Sequence, residues 1–215
     1  MRQIFKALLV VFVLSSLAAC NLPNAVPTLI PTLTQPLSLP TAALPSPLRT
    51  AVLTITPTSP FADWLTYTNQ KYGFKVKYPQ AGQVSDSTDV SARIQLPFVQ
   101  DTNLSEKYLD VSVAENVNPC SSPNAQQYAP GTIQAQQVTI NNLAFILESG
   151  SDAGAGNIYD WTAYSTEKGS ACVSLTFVLH SANRQNYATP PAEFDSQAES
   201  AVFADIVSTF AWLNP

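Results

Sequence analysis

The chain has 215 residues, of which 12% are charged, and a formal net charge of −5 at pH 7. An acidic chain without a cluster of lysine or arginine lacks the electrostatic footprint of a nucleic-acid-binding protein. Its three cysteines and one histidine also lack the paired spacings of zinc ligands. We therefore expect neither a nucleic-acid partner nor a metal centre, and nothing in the composition calls for a cofactor.

The first twenty residues have the pattern of an export signal. Arg2 and Lys6 form a positive start, and the apolar run from Ala7 to Leu14 is followed by small residues. This order of charge, apolar run and small residues is typical of a secretory signal. The run is too short for a membrane-spanning helix, which needs about 20 apolar residues.

The end of this segment, Leu17-Ala18-Ala19-Cys20, resembles the bacterial lipobox. The resemblance implies that the Cys20 thiol receives a diacylglyceryl group and that residues 1–19 are removed as a signal peptide. Two or more acyl chains anchor a protein stably, whereas a single chain binds a membrane only marginally. We therefore expect a lipid anchor in the cell envelope, with the rest of the chain on the extracytoplasmic side. The alternative is an ordinary cleaved signal in which Cys20 is a chance small residue.

Residues 20–61 are predicted to be a disordered tether that begins with the lipidated cysteine. Nine of the seventeen prolines lie between residues 21 and 60, together with many threonines and a single charged residue, Arg49. Proline fixes φ and removes a backbone donor, so neither a helix nor a sheet propagates through such a tract. A spacer of this composition would hold the following domain away from the membrane. Whether the threonines carry sugars is left open.

Cys120 and Cys172 remain as a pair if Cys20 is acylated. An exported protein meets oxidising conditions, so these two thiols are expected to form a disulfide. The bridge would close a long loop and stabilise the fold by roughly 3–5 kcal/mol on the chain-entropy model. The alternative is two separate buried thiols, because sequence alone does not show how far apart they lie.

Residues 62–215 are predicted to form one domain built mainly of strands. Alternation of apolar and polar residues, as at Phe74, Val76 and Tyr78, is typical of strands with one buried face. Asn141-Asn142 is predicted to be a tight turn, because asparagine tolerates positive φ. The predicted strands lie within residues 72–79, 92–98, 108–115, 136–149 (two strands), 157–166 and 171–181.

Near the end of the chain the apolar residues recur at intervals of three and four. They predict an amphipathic helix that follows Pro190-Pro191 and ends near Ser208, with acidic residues at its start, where the helix dipole favours them. A weaker helix is possible at residues 122–128. The apolar positions of the main helix are Phe194, Ala198, Ala201, Val202 and Ile206. Strands followed by one packing helix indicate an α+β domain with a mostly antiparallel sheet.

Both ends of this domain resemble a class of exported bacterial domains. The opening pattern Tyr-x-Asn-x-x-Tyr-Gly-Phe-x-x-x-Tyr-Pro occupies residues 67–79, and "FADIVSTFAWL" at residues 203–213 is similar to the closing helix of that class. The resemblance implies a fold broadly similar to PsbP/Mog1-like domains, an α/β/α sandwich in which helices cover an antiparallel sheet. The matching residues are packing residues, so the resemblance implies no enzymatic activity, and members of such classes mostly bind or assist other molecules.

No combination of residues predicts an enzyme. Ser165 and Lys168 have the Ser-x-x-Lys spacing of penicillin-recognising enzymes, but the two companion motifs of those enzymes are missing from the sequence. We interpret the pair as part of a hairpin turn. His180 has no Gly-x-Ser-x-Gly motif to serve and no acidic neighbour in sequence, so we interpret it as a surface or hydrogen-bonded histidine.

One glycine-rich stretch, residues 148–161, is a candidate ligand loop. Its oxygen-bearing side chains, Glu148, Asp152, Asn157 and Asp160, are of the kind that bind a cation, although the spacing of an EF-hand is not met. The alternative is a flexible hairpin loop without a ligand.

A second candidate is a sugar-binding face made of aromatic rings, with core packing as its alternative; the rings are Trp64, Tyr67, Tyr72, Tyr159, Trp161 and Tyr164.

Taken together, the sequence predicts a non-catalytic binding or assembly-assisting module, with an envelope protein as its expected partner. A module for a small ligand, either a carbohydrate or a cation, is the alternative, and a hydrolase has less support. The oligomeric state is left open.

Overall fold

The computed structural model of the protein describes residues 60–213. The predicted signal peptide, Cys20 and nearly all of the predicted tether lie outside these residues. Within them, no helix is both long and apolar enough to cross a membrane. The strands are β1 (Leu65–Asn69), β2 (Phe74–Tyr78), β3 (Gln83–Ser87), β4 (Ser91–Gln95), β5 (Leu104–Glu115), β6 (Gln136–Ile140), β7 (Leu143–Gly154), β8 (Asn157–Lys168), β9 (Ala171–Ala182) and β10 (Ala211–Trp212), and the α-helix is α1 (Ser196–Ser208).

Seven strands form one large antiparallel sheet in the order β3-β4-β5-β9-β8-β7-β6. Its centre consists of four strands of 12 residues each, β5, β7, β8 and β9. The predicted turn at Asn141-Asn142 joins β6 to β7, with φ values of 50° and 63°. Asparagine adopts such positive values more readily than most residues, which explains its use at this tight turn.

A small sheet of three strands, in the order β1-β2-β10, brings the two ends of the described chain together. In β2, the side chains of Phe74, Val76 and Tyr78 are buried, while Lys75 between them is exposed. The predicted alternation is therefore confirmed. Phe74 stacks on Phe210, with 5.6 Å between the ring centroids, which ties β2 to the segment that follows α1.

The predicted closing helix is confirmed as α1, which begins at Ser196 rather than near Phe194. The Asp195 carboxylate accepts hydrogen bonds from the backbone N–H groups of Gln197 and Ala198, both at 3.0 Å. An N-cap of this kind satisfies backbone donors that the first turn leaves free. It explains why the helix starts directly after Asp195.

The large sheet has two faces with different coverings. Helix α1 and the small sheet pack on one face, which we call the helix face, and together they enclose the main hydrophobic core. Phe203 of α1 stacks on Phe177 of β9, with 4.4 Å between the ring centroids. The opposite face, which we call the groove face, carries a separate and smaller apolar cluster.

This arrangement confirms an α+β fold with a mostly antiparallel sheet. It differs from a complete α/β/α sandwich, in which helices cover both faces of the sheet. Within residues 60–213 there is one α-helix, α1, and it covers only the helix face of the large sheet. The weaker helix predicted at residues 122–128 is a short 3-10 turn, Ala125–Gln127, on the groove face. Strand β3 was not predicted from the sequence because all five of its residues are exposed, so apolar and polar positions do not alternate.

A buried ion pair links the large sheet to α1. The ammonium nitrogen of Lys107 lies 2.9 Å from Oε2 of Glu199, and both side chains are about 5% exposed. The other carboxylate oxygen, Oε1, accepts a hydrogen bond from the backbone N–H of Val99 at 2.8 Å. Both oxygens of the buried carboxylate are therefore hydrogen-bonded, which offsets part of the cost of removing the charges from water.

Candidate binding groove

The predicted disulfide joins Cys120 to Cys172, with 5.4 Å between the Cα atoms. Cys172 lies near the start of β9, and Cys120 lies in the connection between β5 and β6. We call residues 116–135 of this connection the crossover segment. The disulfide holds the crossover segment against the groove face of the large sheet.

Glu148 provides a second attachment for the crossover segment. Its buried carboxylate accepts hydrogen bonds from the Ser121 hydroxyl and from the Ser122 backbone N–H, both at 2.8 Å. Further along, the Tyr128 hydroxyl donates to the carbonyl oxygen of Ser151 at 3.2 Å. The crossover segment is thus attached to the sheet on both sides of its 3-10 turn. It lies on the groove face and forms one wall of the space described below.

Beside this wall, the groove face presents three rows of side chains that run across the strands. The first row is Glu106, His180, Tyr159 and Asp152. The second row is Gln95, Tyr108, Val178, Trp161 and Gly150. The third row is Arg93, Asp110, Thr176, Ala163 and Glu148. Side chains opposite one another on neighbouring strands are close enough to interact, so each row is a line of contacts.

Arg93 and Asp110 form a two-pronged ion pair in the third row. The Nε and Nη2 atoms of Arg93 each donate to one carboxylate oxygen at 2.7 Å. The hydrogen bond to Asp110 raises the pKa of Arg93 above its ordinary value, so the guanidinium stays charged. This guanidinium also lies over the ring of Tyr108, 4.0 Å from its centroid. Burial raises the pKa of the Tyr108 phenol, so the neutral hydroxyl is favoured.

His180 of the first row contacts three neighbouring side chains. Its Nδ1 atom lies 2.9 Å from a carboxylate oxygen of Glu106, and its Nε2 atom lies 3.0 Å from Oδ1 of Asn157. The imidazole also stacks on Tyr159, with 4.3 Å between centroids and 11° between the planes. Our interpretation of His180 as a hydrogen-bonded residue is confirmed, because both ring nitrogens have partners.

Trp161 lies in the second row, between Val178 and Gly150, and is 4% exposed. Its indole lies across Gly150 of the neighbouring strand, where an added Cβ would come within 2.6 Å of the ring. A residue without a side chain is therefore needed beneath the tryptophan. Tyr128 of the crossover segment covers the ring from above, with 6.2 Å between the centroids.

Two adjoining cavities lie between the crossover segment and the groove face, with volumes of about 540 Å³ and 230 Å³. They share Arg93, Asp110 and Asn124 in their linings. Their combined size is within the range of roughly 300–1,000 Å³ that is typical of ligand sites. We call the two cavities together the tyrosine groove, and its defining residues are Arg93, Tyr108, Asp110, Tyr128, Tyr159 and Trp161.

The glycine-rich stretch forms a hairpin, as the alternative interpretation predicted, but its strands are regular almost to the tip. Strands β7 and β8 pair as far as Gly154 and Asn157, and Ala155-Gly156 forms the turn. The paired ladder between β7 and β8 holds the stretch in regular strands rather than in a loose loop.

The four candidate oxygen ligands of this hairpin do not form one site. Glu148, Asp152 and Asn157 belong to the groove face, whereas Asp160 pairs with Leu179 and belongs to the helix face. Glu148 is already occupied by the crossover segment. Across residues 60–213, no group of three or more histidine, cysteine or acidic side chains could hold a metal ion.

Of the six aromatic residues predicted to form one face, two reach the tyrosine groove, namely Tyr159 and Trp161. The other four pack in or against the main core on the helix face: Trp64, Tyr67, Tyr72 and Tyr164. Ser165 and Lys168 belong to β8 rather than to a turn. The Ser165 side chain is buried. The Lys168 ammonium donates to the carbonyl oxygen of Leu213 at 3.4 Å and not to Ser165.

Sequence reasoning missed most of the tyrosine groove, namely Arg93, Tyr108, Asp110 and Tyr128. A weak signal was present, since Arg93 and Asp110 occupy the polar positions of two strands whose apolar positions we had recognised. That signal identifies the face opposite the core but not which polar residues meet there.

No protein-family model and no curated protein sequence matches the chain. Several solved structures are similar to it. One is a crystal structure of a protein from Bacteroides thetaiotaomicron, with a TM-score of 0.46, 11% identity and coverage of 69% of this chain; the match spans about half, 48%, of that protein.

For two further solved structures, the match covers nearly the whole length of the other protein. The cyanobacterial PsbP protein CyanoP from Synechocystis has a TM-score of 0.42 and 16% identity, over 70% of this chain and 93% of that one. A protein of unknown function from Pseudomonas aeruginosa, described as a putative regulator, has a TM-score of 0.40 and 15% identity, over 71% of this chain and 98% of that one. We assign the present domain to the α+β class, with a mostly antiparallel sheet, from its own strand order and not from these comparisons.

Proposed function

We propose that the chain is a lipid-anchored protein of the bacterial cell envelope and that its α+β domain is a non-catalytic binding module with the tyrosine groove as its binding site. The observation that supports this proposal most strongly is that the wall of the groove, the crossover segment, is held in a fixed position. The crossover segment is fixed by the Cys120–Cys172 disulfide and by two hydrogen bonds to Glu148. A site whose walls are already in place loses little conformational entropy when it binds.

The pairing of the charged groups supports binding rather than catalysis. Arg93 is paired with Asp110, and His180 is held between Glu106 and Asn157. A general base or an activated nucleophile needs an atom that can reach its substrate. His180, the residue type most often used for proton transfer in enzymes, instead has both ring nitrogens engaged by neighbouring side chains.

The first experiment tests the groove. A photoreactive side chain that inserts into C–H bonds captures proteins and glycans alike, and it can be placed at Asn124 in the native host. We expect a defined adduct of the lipoprotein after illumination of intact cells. The same side chain at Gln197, which is exposed on α1, is the matched control and should give none. Equal labelling from both positions, or none from Asn124, would contradict the assignment.

The second experiment tests the anchor. Protein extracted from its own membrane should have an intact mass that lacks residues 1–19 and includes added acyl chains. The variant Cys20→Ser should lack the acyl mass and leave the membrane fraction. An unmodified Cys20 in the native protein would rule the anchor out.

A further inference from the structure

The charges around the tyrosine groove indicate what kind of ligand it does not favour. Arg93 is the one cation in the lining of the two cavities, and Asp110 already holds it in two hydrogen bonds of 2.7 Å. Asp86 and Asp152 add negative charge to the lining. An anionic ligand would meet more negative than positive charge there, and like charges at a binding surface oppose association.

The Arg93–Asp110 pair still has hydrogen-bonding capacity to offer. A guanidinium carries five N–H donors, and the carboxylate uses two of them, which leaves about three free. Each carboxylate oxygen also keeps a lone pair for a further donor. Both side chains are more than one third exposed. Fixed donors and acceptors thus stand next to each other, an arrangement that suits two neighbouring hydroxyl groups, each of which both donates and accepts.

The rest of the lining combines ring surface with uncharged polar groups. Tyr108 is buried beneath Arg93, so the ring surface that a ligand can reach belongs to the half-buried Tyr128 and Tyr159. Stacking on His180 fixes the orientation of the Tyr159 ring. Asn124 and Gln127 contribute amides from the crossover segment. A purely apolar ligand would leave these polar groups without partners, which costs binding energy.

From these three observations we infer that the tyrosine groove binds a neutral oligosaccharide. A sugar ring has an apolar C–H face for the half-buried rings of Tyr128 and Tyr159, and it has a rim of hydroxyls for the ion pair and the amides. The two adjoining cavities, of about 540 Å³ and about 230 Å³, have room for more than one ring. This inference rests on the proposed function, since it names the ligand class of the same groove.

The test measures binding of neutral hexasaccharides to the full chain in detergent by titration calorimetry. The probes are α- and β-linked glucans, a mannan fragment and an N-acetylglucosamine oligomer, with hexagalacturonate as the acidic comparison. We expect at least one neutral probe to bind in preference to hexagalacturonate. Arg93→Lys removes the two-pronged geometry but keeps the charge, and it should weaken binding about tenfold or more.

Arg184→Lys is the matched control, because Arg184 also pairs with a carboxylate, that of Glu193, and has a similar exposure but lies outside the groove. It should leave the affinity unchanged. If Arg93→Lys fails to fold, Asn124→Ala takes its place, since it leaves the ion pair intact and should also weaken binding. Binding of hexagalacturonate alone, or equal losses in the groove and control variants, would overturn the inference.

Two further outcomes separate this inference from the proposed function. If no hexasaccharide binds but the photoreactive side chain at Asn124 captures a protein, the ligand class is wrong and the groove remains a binding site. If no hexasaccharide binds and Asn124 captures nothing, both the ligand class and the binding role of the groove fail.

Discussion

Replacing Cys120 and Cys172 together by alanine should lower the free energy of unfolding by about 4 kcal/mol. The two cysteines are 52 residues apart in the chain, and opening a loop of this length frees considerable entropy in the unfolded state. Urea-induced unfolding of the native and variant chains, monitored by circular dichroism, measures the difference. The variant should also lose affinity in the tyrosine groove, because the crossover segment loses its covalent attachment.

Two comparisons sharpen this test. The single variant Cys120→Ala breaks the same bond and should lose nearly as much stability as the double variant. Addition of reductant should destabilise the native chain and leave the double variant unchanged. A loss below about 1 kcal/mol would contradict the entropic stabilisation that we assign to the bridge.

Replacing Glu199 by alanine should cost about 3–5 kcal/mol of stability, the usual range for removing one partner of a buried ion pair. The substitution leaves the Lys107 ammonium buried without its carboxylate and takes away the acceptor of the Val99 N–H. Equilibrium unfolding in urea gives the value directly. We expect Glu199→Gln to lose less, since an amide oxygen can still accept from Val99.

Two controls show whether burial is the cause. Glu193 pairs with Arg184 at the same 2.9 Å distance, but the two side chains of this pair are 72% and 39% exposed, so Glu193→Ala should cost at most about 1 kcal/mol. Combining Lys107→Met with Glu199→Leu replaces both charges by apolar groups and should recover much of the loss. Similar losses for Glu193→Ala and Glu199→Ala would contradict the role that we assign to burial.

Much of the fold could be predicted from the sequence because one face of the large sheet and one side of α1 are buried. Burial forces apolar residues into every second position of a strand, as at Leu109, Val111 and Val113 of β5. Where burial is absent, as in β3, that pattern disappears and the strand was missed. The 3-10 turn was predicted as a helix because a few helix-favouring residues do not determine how far the turn continues.

The tyrosine groove could not be predicted in the same way. Arg93 and Asp110 meet because β4 and β5 pair in one particular register, and Glu106 meets His180 across 74 positions of the chain. A single sequence contains the residue types but not the register that places them side by side. Glu148 and Asp152 attracted attention because they lie close together in the chain, yet the two carboxylates have different surroundings in the fold.

The pairing of β2 with β10 determines where the domain can be held. Both ends of the described chain lie at the small sheet, which packs on the helix face, while the tyrosine groove opens on the opposite side of the large sheet. A fluorophore, an affinity tag or a sensor surface attached at the C-terminus would therefore leave the groove free. Protein immobilised in this way would present every groove to the solution, which suits surface-based measurements of weak ligands.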